Sequence, residues 1–173
     1  MSKLMTSIVV YGEIDDTAEL CQKWVNFCTE LTQKSTNNIE YISIKGDGFN
    51  NSDVVKYDNI EQKLSLAIFN QKNFESISMY SLPENFKQAV FDYDIYISRV
   101  RGKRASYVLA TISNEIILKE KVNLMDLKEH ISKFVNKEKG IIFEMDINEF
   151  PPKYIMGKGK DTNFKTLKVF EEF

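Results

Sequence analysis

The chain has 173 residues, a formal net charge of −2 and 43% hydrophobic residues, with aromatic residues forming 12% of the chain. This size and composition suit one globular domain with a substantial core, and the mild, mixed charge does not favour nucleic acid or an anionic membrane as the obvious partner. The chain contains one histidine and two cysteines, and no run of it matches a phosphate loop, a zinc box, a nucleophile elbow or a kinase signature.

The N-terminal part of the chain predicts a strand followed by a helix. Ser7–Ile14 is rich in β-branched residues, and the helix then runs from Asp16 to about Lys34. Asp16 is the expected cap, because Glu19 follows three residues later in the spacing of a capping box. The predicted buried stripe recurs at helical spacing and comprises Leu20, Trp24, Phe27, Cys28 and Leu31.

The cysteines and the N-terminal segment both favour a cytoplasmic location. Cys21 and Cys28 lie two turns apart on the predicted helix, so roughly 10 Å separates them, which is too far for a disulfide. No secretory hydrophobic region follows Met1, and no stretch approaches the ~20 apolar residues that span a bilayer. We therefore expect a cytoplasmic protein with reduced cysteines and no membrane partner.

The middle of the chain is predicted to change from mixed structure to β structure. Ile39–Ile44 is a second strand, Gly46–Asp53 is a loop by composition, and Asp58 opens a short helix that ends near Ile68. Three strand candidates rich in aromatic and β-branched residues follow, at Phe74–Tyr80, Ala89–Ser98 and Tyr107–Leu118. Gly102 is expected to turn the second of these strands into the third as a hairpin.

A helix and two further strands are predicted after the hairpin. Asn123 caps the helix, Gly140 takes the position of a left-handed C-cap, and Ile141–Asn148 forms a strand that Pro151-Pro152 interrupts. The last strand candidate is Phe164–Phe170. The apolar face of the helix comprises Leu124, Leu127, Ile131, Phe134 and Val135.

The order of these elements predicts the fold class. A β-α-β-α run is followed by three strands and then by one helix and two strands, and no linker divides the chain. This order favours a single α+β domain over residues 1–173, with an antiparallel-rich mixed sheet and about three helices packed largely on one face.

Two predicted strands carry carboxylates on a polar face. Asp92 and Asp94 alternate with apolar residues along Phe91–Ser98, and Glu144 and Asp146 alternate in the same way on the strand near the C-terminus. If the two strands share a sheet, the four side chains form one acidic face. Such a face is an ordinary solvated surface, a surface for a basic partner, or a site for acid–base chemistry or Mg²⁺.

The start of the first helix is a second acidic candidate, with Asp15, Asp16 and Glu19. We take these three carboxylates and the previous four as candidate partner-binding residues, and we assign no catalytic residue, metal ligand or cofactor. His130 is expected at the boundary of the core because it flanks an apolar helix face. Gly157–Lys160 is expected to be a flexible loop, because it lacks the following Ser or Thr of a phosphate-binding loop.

A basic hairpin tip is the feature that points to nucleic acid. Arg99, Arg101, Lys103 and Arg104 place four cations within six residues. A two-stranded ribbon with such a tip can follow a phosphate backbone, although a soluble hairpin tip explains the same residues.

Two segments are the most distinctive parts of the chain: the first helix with Trp24, and Phe150–Tyr154 (FPPKY) followed by Gly157–Gly159. With the aromatic-rich α+β pattern and the acidic strand faces, the chain resembles in type the immunity proteins of bacterial toxin–immunity pairs, including those of contact-dependent growth inhibition. The resemblance implies a stable partner that covers the active site of one cognate toxin, often a nuclease. A nuclease site is basic because it holds phosphates, so an acidic inhibitor would gain association rate and specificity there.

The sequence therefore leads us to expect a non-enzymatic binding protein that neutralises a cognate protein toxin. Two alternatives stay open. One is a nucleic-acid-binding module that uses the 99–104 hairpin, although the mild net charge of −2 does not favour nucleic acid as a partner. The other is a small enzyme that uses the carboxylates of the predicted acidic face.

Overall fold

The computed structural model describes residues 2–34, 38–50, 53–157 and 162–173, and eight strands of this part form one sheet. The strands are β1 (Leu4–Glu13), β2 (Ile39–Gly46), β3 (Val55–Lys56), β4 (Phe74–Leu82), β5 (Ile95–Arg101), β6 (Ser106–Ser113), β7 (Asn136–Asp146) and β8 (Lys168–Glu172). Their order is β3-β2-β4-β5-β6-β1-β7-β8, and every neighbouring pair is antiparallel. The predicted α+β class is confirmed, and the described sheet contains antiparallel pairs only.

Helices lie on both faces of the sheet, and the longest three share one face. The α-helices of the described residues are α1 (Ala18–Thr32), α2 (Glu61–Phe69), α3 (Ala89–Asp92), α4 (Asn114–Lys119), α5 (Leu124–Ser132) and α6 (Pro151–Ile155), of which α1, α2 and α5 are the longest. The helix α1 lies over β4 and β5, α5 lies over β6 and β1, and α2 packs beside α1. The short helices α3 and α6 pack on the opposite face.

The predicted stripe of α1 is buried against the sheet. Trp24 is fully buried, and its indole Nε1 donates a hydrogen bond of 3.2 Å to the carbonyl of Ile77 in β4. The predicted cap is wrong by one residue, since the Thr17 hydroxyl and not the Asp16 carboxylate accepts from the backbone N–H of Leu20. The Asp16 carboxylate instead pairs with Arg99 and Arg101.

Tyrosines cover the other face of the sheet. Tyr41, Tyr80 and Tyr96 stand opposite one another on β2, β4 and β5, and the rings of the last two are stacked at 4.7 Å. Phe86, just before α3, packs edge-on against Tyr41, and Ile155 of α6 packs over the neighbouring strands. The part of this face under α3 and α6 is therefore a second, smaller core and not a solvated surface.

Two predicted strands end in helices. Residues 89–92 are helical, because the Asp92 carboxylate accepts from the backbone N–H groups of Lys87 (2.7 Å) and Gln88 (2.8 Å) and closes a turn before β5. The strand predicted to reach Leu118 ends at Ser113, whose hydroxyl caps α4. The predicted hairpin is confirmed, since residues 102–105 join β5 to β6.

Gly140 does not cap a helix, because it lies within β7 and α5 ends earlier with Lys133 as its cap. A side chain at position 140 would place its Cβ only 2.3 Å from the ring of Phe173, so the packed ring explains the glycine. The strand that Pro151-Pro152 was predicted to interrupt already ends at Asp146, where a 3-10 turn (Ile147–Glu149) follows, and Pro151 then begins α6. Of the predicted Gly157–Lys160 loop, residues 158–160 lie outside the described residues.

Candidate functional site

The four carboxylates predicted on two strands lie at the end of the sheet opposite the 102–105 turn. Asp94 precedes β5, where its N–H donates to the Ser81 carbonyl (3.0 Å) and its own carbonyl accepts from the Ser113 N–H (2.8 Å). Asp146 ends β7 opposite Leu4 of β1. Because β6 and β1 separate β5 from β7, and α3 interrupts the predicted strand, the four side chains share one end but not one open face.

The carboxylates next to β5 hold the chain together. Asp92 closes the turn already described. Asp94 forms an ion pair of 2.6 Å with Lys3 and accepts a hydrogen bond of 2.7 Å from the Asn38 amide. The Lys3 ammonium also donates to the Tyr93 carbonyl at 2.6 Å, so this pair ties the N-terminal segment to β5.

The carboxylates of β7 are also used internally. The Asn114 amide donates to Glu144 at 2.6 Å. Asp146 is only 7% exposed and accepts from the Ser2 hydroxyl (2.6 Å) and the Asn148 N–H (2.8 Å). Burial alone would raise the pKa of Asp146, but the hydrogen bonds from Ser2 and Asn148 lower it below the ordinary aspartate value.

Asp16 lies between two arginines of β5 on the helix-covered face. Its carboxylate oxygens accept from Arg99 and Arg101, both at 2.8 Å, and Arg99 also donates to the Asp15 carbonyl at 3.0 Å. Burial alone would raise the pKa of Asp16, but Arg99, with help from Cys21 and Arg101, lowers it. The pair anchors the start of α1 to the sheet, and the Asp16 side chain is only 11% exposed.

The cations of the predicted basic tip are therefore divided between core and surface. The Arg99 side chain is 1% exposed, and its Nη1 is buried with no hydrogen-bond partner in the described part of the chain. Arg101 turns to Asp16, and only Lys103 and Arg104 stand exposed at the turn. The hairpin thus offers a phosphate backbone fewer cations than the sequence suggests.

Asp15 and Glu19 remain at the surface near the start of α1. Glu19 forms an ion pair of 2.6 Å with Lys23 one helical turn later. An exposed pair of this kind contributes little to stability. Of the acidic residues predicted at this helix, the Asp15 and Glu19 side chains face solvent and Asp16 does not.

A carboxylate group that the sequence reasoning missed lies beside the four at the same end of the sheet. Burial raises the pKa of Glu40, and the negative charges of Asp58 and Glu61 add to the rise, against opposing hydrogen bonds from Thr32 and Gln33. None of these three carboxylates forms an ion pair within the described residues. We call this end of the sheet the acidic end.

The position of Glu40 in β2 could have revealed this group. Ile42 and Ile44 are buried towards the helices, and Glu40 shares their phase in the strand. A carboxylate in the apolar phase of a strand breaks the binary pattern, and such a break is typical of a functional position.

The cysteines and the histidine, the side chains most common in catalysis and metal binding, lie in the core and at the surface respectively. Burial raises the pKa of Cys21 to about 11 and that of Cys28 well above its ordinary value, so both thiols stay protonated. His130 is exposed, and its ring lies 4.6 Å from that of Phe27. The described residues contain no group of three or more His, Cys, Asp or Glu side chains placed to hold a metal ion.

No family model matches the chain, and no curated protein or solved structure is significantly similar to it. In the described ranges, no helix has both the length and the apolar composition needed to cross a membrane.

Proposed function

We propose that the chain is a non-enzymatic binding protein that neutralises a cognate protein toxin, and that a cationic surface of the toxin docks on the acidic end. One observation carries this proposal: half-buried Glu40 is near enough to Asp58 and Glu61 for their charges to raise its pKa, and none of the three forms an ion pair among the described residues. That the partner is a toxin is implied only by the resemblance to immunity proteins.

The raised pKa of Glu40 supplies the physical reason. Burial and two neighbouring negative charges make its ionised form unfavourable in the free chain. A lysine or arginine of the partner would pair with ionised Glu40 and offset the cost of its burial and of its two like-charged neighbours. The free energy gained in this way would add to the binding free energy. Unfavourable electrostatics of this kind cluster at functional sites.

Other carboxylates at the acidic end support the same proposal because they add to its negative charge. Asp92 and Glu144 stay partly exposed at the acidic end and form no ion pair among the described residues, whereas Asp94 and Glu84 are paired with Lys3 and Lys56. The negative charges of Asp92 and Glu144 would attract a cationic protein and speed its association, most strongly at low salt. We therefore expect them to act through the field, and Glu40, Asp58 and Glu61 through contact.

Capture and neutralisation together test the proposal. The chain is used as bait in an extract of its native source, and the captured protein is then expressed in a host with and without the chain. We expect the captured protein to arrest growth alone and the chain to restore growth. A captured protein that is harmless, or one that remains toxic beside the chain, would count against a neutralising role.

A charge-matched pair of variants tests the docking surface. Glu40→Gln with Asp58→Asn and Glu61→Gln should weaken binding of the captured toxin at least tenfold, and more strongly at low salt. The control removes the same charge at the other end of the sheet, through Glu13→Gln, Asp47→Asn and Glu138→Gln, all at exposed residues, and should change affinity less than twofold. Equal losses in both variants would show that the toxin docks elsewhere.

A further inference from the structure

A row of residues crosses the tyrosine-covered face of the sheet near the 102–105 turn, one residue on each of six strands. The row is Lys45, Ser76, Val100, Tyr107, Tyr11 and Lys139, as the pairing registers of β2, β4, β5, β6, β1 and β7 give it. The four inner residues are half-buried and the two lysines are exposed. We propose that this row, which we call the cross-strand row, leads into a binding site for an extended acidic peptide.

The row ends in a groove of about 650 Å³ between the turn, β7 and α6. Tyr11 and Tyr154 line the groove, together with the cations Lys103, Arg104 and Lys139. The Lys139 ammonium lies 5.0 Å from the centre of the Tyr11 ring. Within the described residues, none of the three cations forms an ion pair, so each retains its charge for a ligand.

The dimensions and the side chains of the site suit a peptide. Six adjacent strands span roughly 24 Å, which is the length of about seven extended residues. Tyrosine and arginine are the side chains enriched in protein recognition surfaces, because they combine apolar area with hydrogen bonds. Lysine and arginine at one end of such a surface bind carboxylates through charge-assisted hydrogen bonds.

Two features favour a peptide over single-stranded nucleic acid. Lys139 lies over the Tyr11 ring, where a base would otherwise stack. Glu13 and Glu138 also line the groove and would repel a continuous phosphate backbone, whereas a peptide can place its carboxylates away from them.

Fluorescence anisotropy tests the site with a labelled peptide of glutamate and leucine, roughly eight residues long. We expect saturable binding in the micromolar range at low salt, and no binding of an uncharged serine–leucine peptide of equal length. Replacement of Lys103, Arg104 and Lys139 by alanine should weaken binding at least tenfold. A variant that removes three exposed cations of the helix layer, Lys34→Ala with Lys121→Ala and Lys133→Ala, should bind within twofold of the original chain.

Three outcomes would overturn the proposal: no saturable binding of the acidic peptide, equal losses in the two triple variants, or tighter binding of a labelled oligothymidine than of the peptide. The last outcome would assign the row to nucleic acid. Since the row lies at the other end of the sheet from Glu40, Asp58 and Glu61, each of these results leaves the proposed toxin-binding surface to its own test.

Discussion

At each end of the sheet, some charged residues pair within the chain and others do not. At the acidic end, Asp94 and Asp146 satisfy partners within the chain, while Glu40 faces two like charges. At the hairpin end, Asp16 neutralises Arg99 and Arg101, while the cations at the turn stay unpaired within the described residues. A charge with an internal partner therefore stabilises the fold. A charge without one is where an external partner gains most.

The largest expected effect separates Asp16 from its neighbour Asp15. Asp16→Ala leaves the buried Arg99 guanidinium without its counter-charge, and we expect the free energy of unfolding to fall by about 3–5 kcal/mol. Asp15→Ala, at an exposed side chain, should change it by no more than about 0.5 kcal/mol. Urea unfolding measures both. A loss below about 1 kcal/mol in Asp16→Ala would show that the pair does not anchor α1.

A smaller difference is expected between two carboxylates of the acidic end. Asp146→Ala removes the acceptor of the Ser2 and Asn148 hydrogen bonds in a buried position and should lower the free energy of unfolding by about 1–3 kcal/mol. Asp58→Ala, at an exposed residue, should stay within about 0.5 kcal/mol. If both variants lose stability equally, the division into internal and available charges fails at this end.

Acid should weaken the fold through the internal carboxylates. Since the folded pKa values of Asp16 and Asp146 are lowered, their stabilising contribution is complete above the unfolded value of about 4 and is lost as pH falls through the folded values. We expect urea midpoints to fall as pH is lowered below about 4. The decrease should be smaller in Asp16→Asn than in the original chain, and an equal decrease would contradict the assignment.

Glu40 should behave with the opposite sign. Its folded pKa is raised, so its stabilising contribution is complete below the unfolded value and is lost as pH rises through the folded value. Glu40→Gln should therefore raise the free energy of unfolding at pH 7 by about 0.5 kcal/mol, while weakening binding of the toxin. The gain should vanish below about pH 4, where Glu40 itself is neutral. Destabilisation at pH 7 would remove Glu40 from the docking surface.

The smallest expected effect is that of divalent cations. Millimolar Mg²⁺ should shift the melting temperature by less than about 1 °C, because the described residues contain no group of three or more acidic, histidine or cysteine side chains placed to hold a metal ion. An ion that bound the native state selectively would raise the melting temperature by mass action. A larger shift that is lost in Asp94→Asn or Asp146→Asn would point to a metal site and favour the enzyme alternative.

Much of the fold could be predicted because its signals are local. The spacing of Trp24, Phe27 and Leu31 marks α1, and the alternation in β5 and the glycine at position 102 mark the hairpin. Asn123 was correctly predicted as the cap of α5, since its side chain accepts from two backbone N–H groups one turn into the helix. Each of these features depends on residues within one or two turns of one another.

The roles of the charged residues could not be predicted in the same way. Asp16 fits a capping box by spacing, but its carboxylate meets Arg99, which lies 83 residues later. Gly140 fits a C-cap by position, but it makes room for the ring of Phe173. Local spacing cannot rank such alternatives, because the deciding contact is made only when the sheet is assembled.

Trp24 gives the chain a built-in fluorescent reporter. It is the single tryptophan, and its fully buried indole sits between α1 and β4 with Phe134 edge-on at 5.1 Å. Separation of α1 from the sheet would expose the ring to water and shift its emission to longer wavelength. Neither proposed surface includes Trp24, so ligand binding at either end should leave the emission maximum in place. One unlabelled sample can thus distinguish a variant that has lost a binding surface from one that has lost its fold.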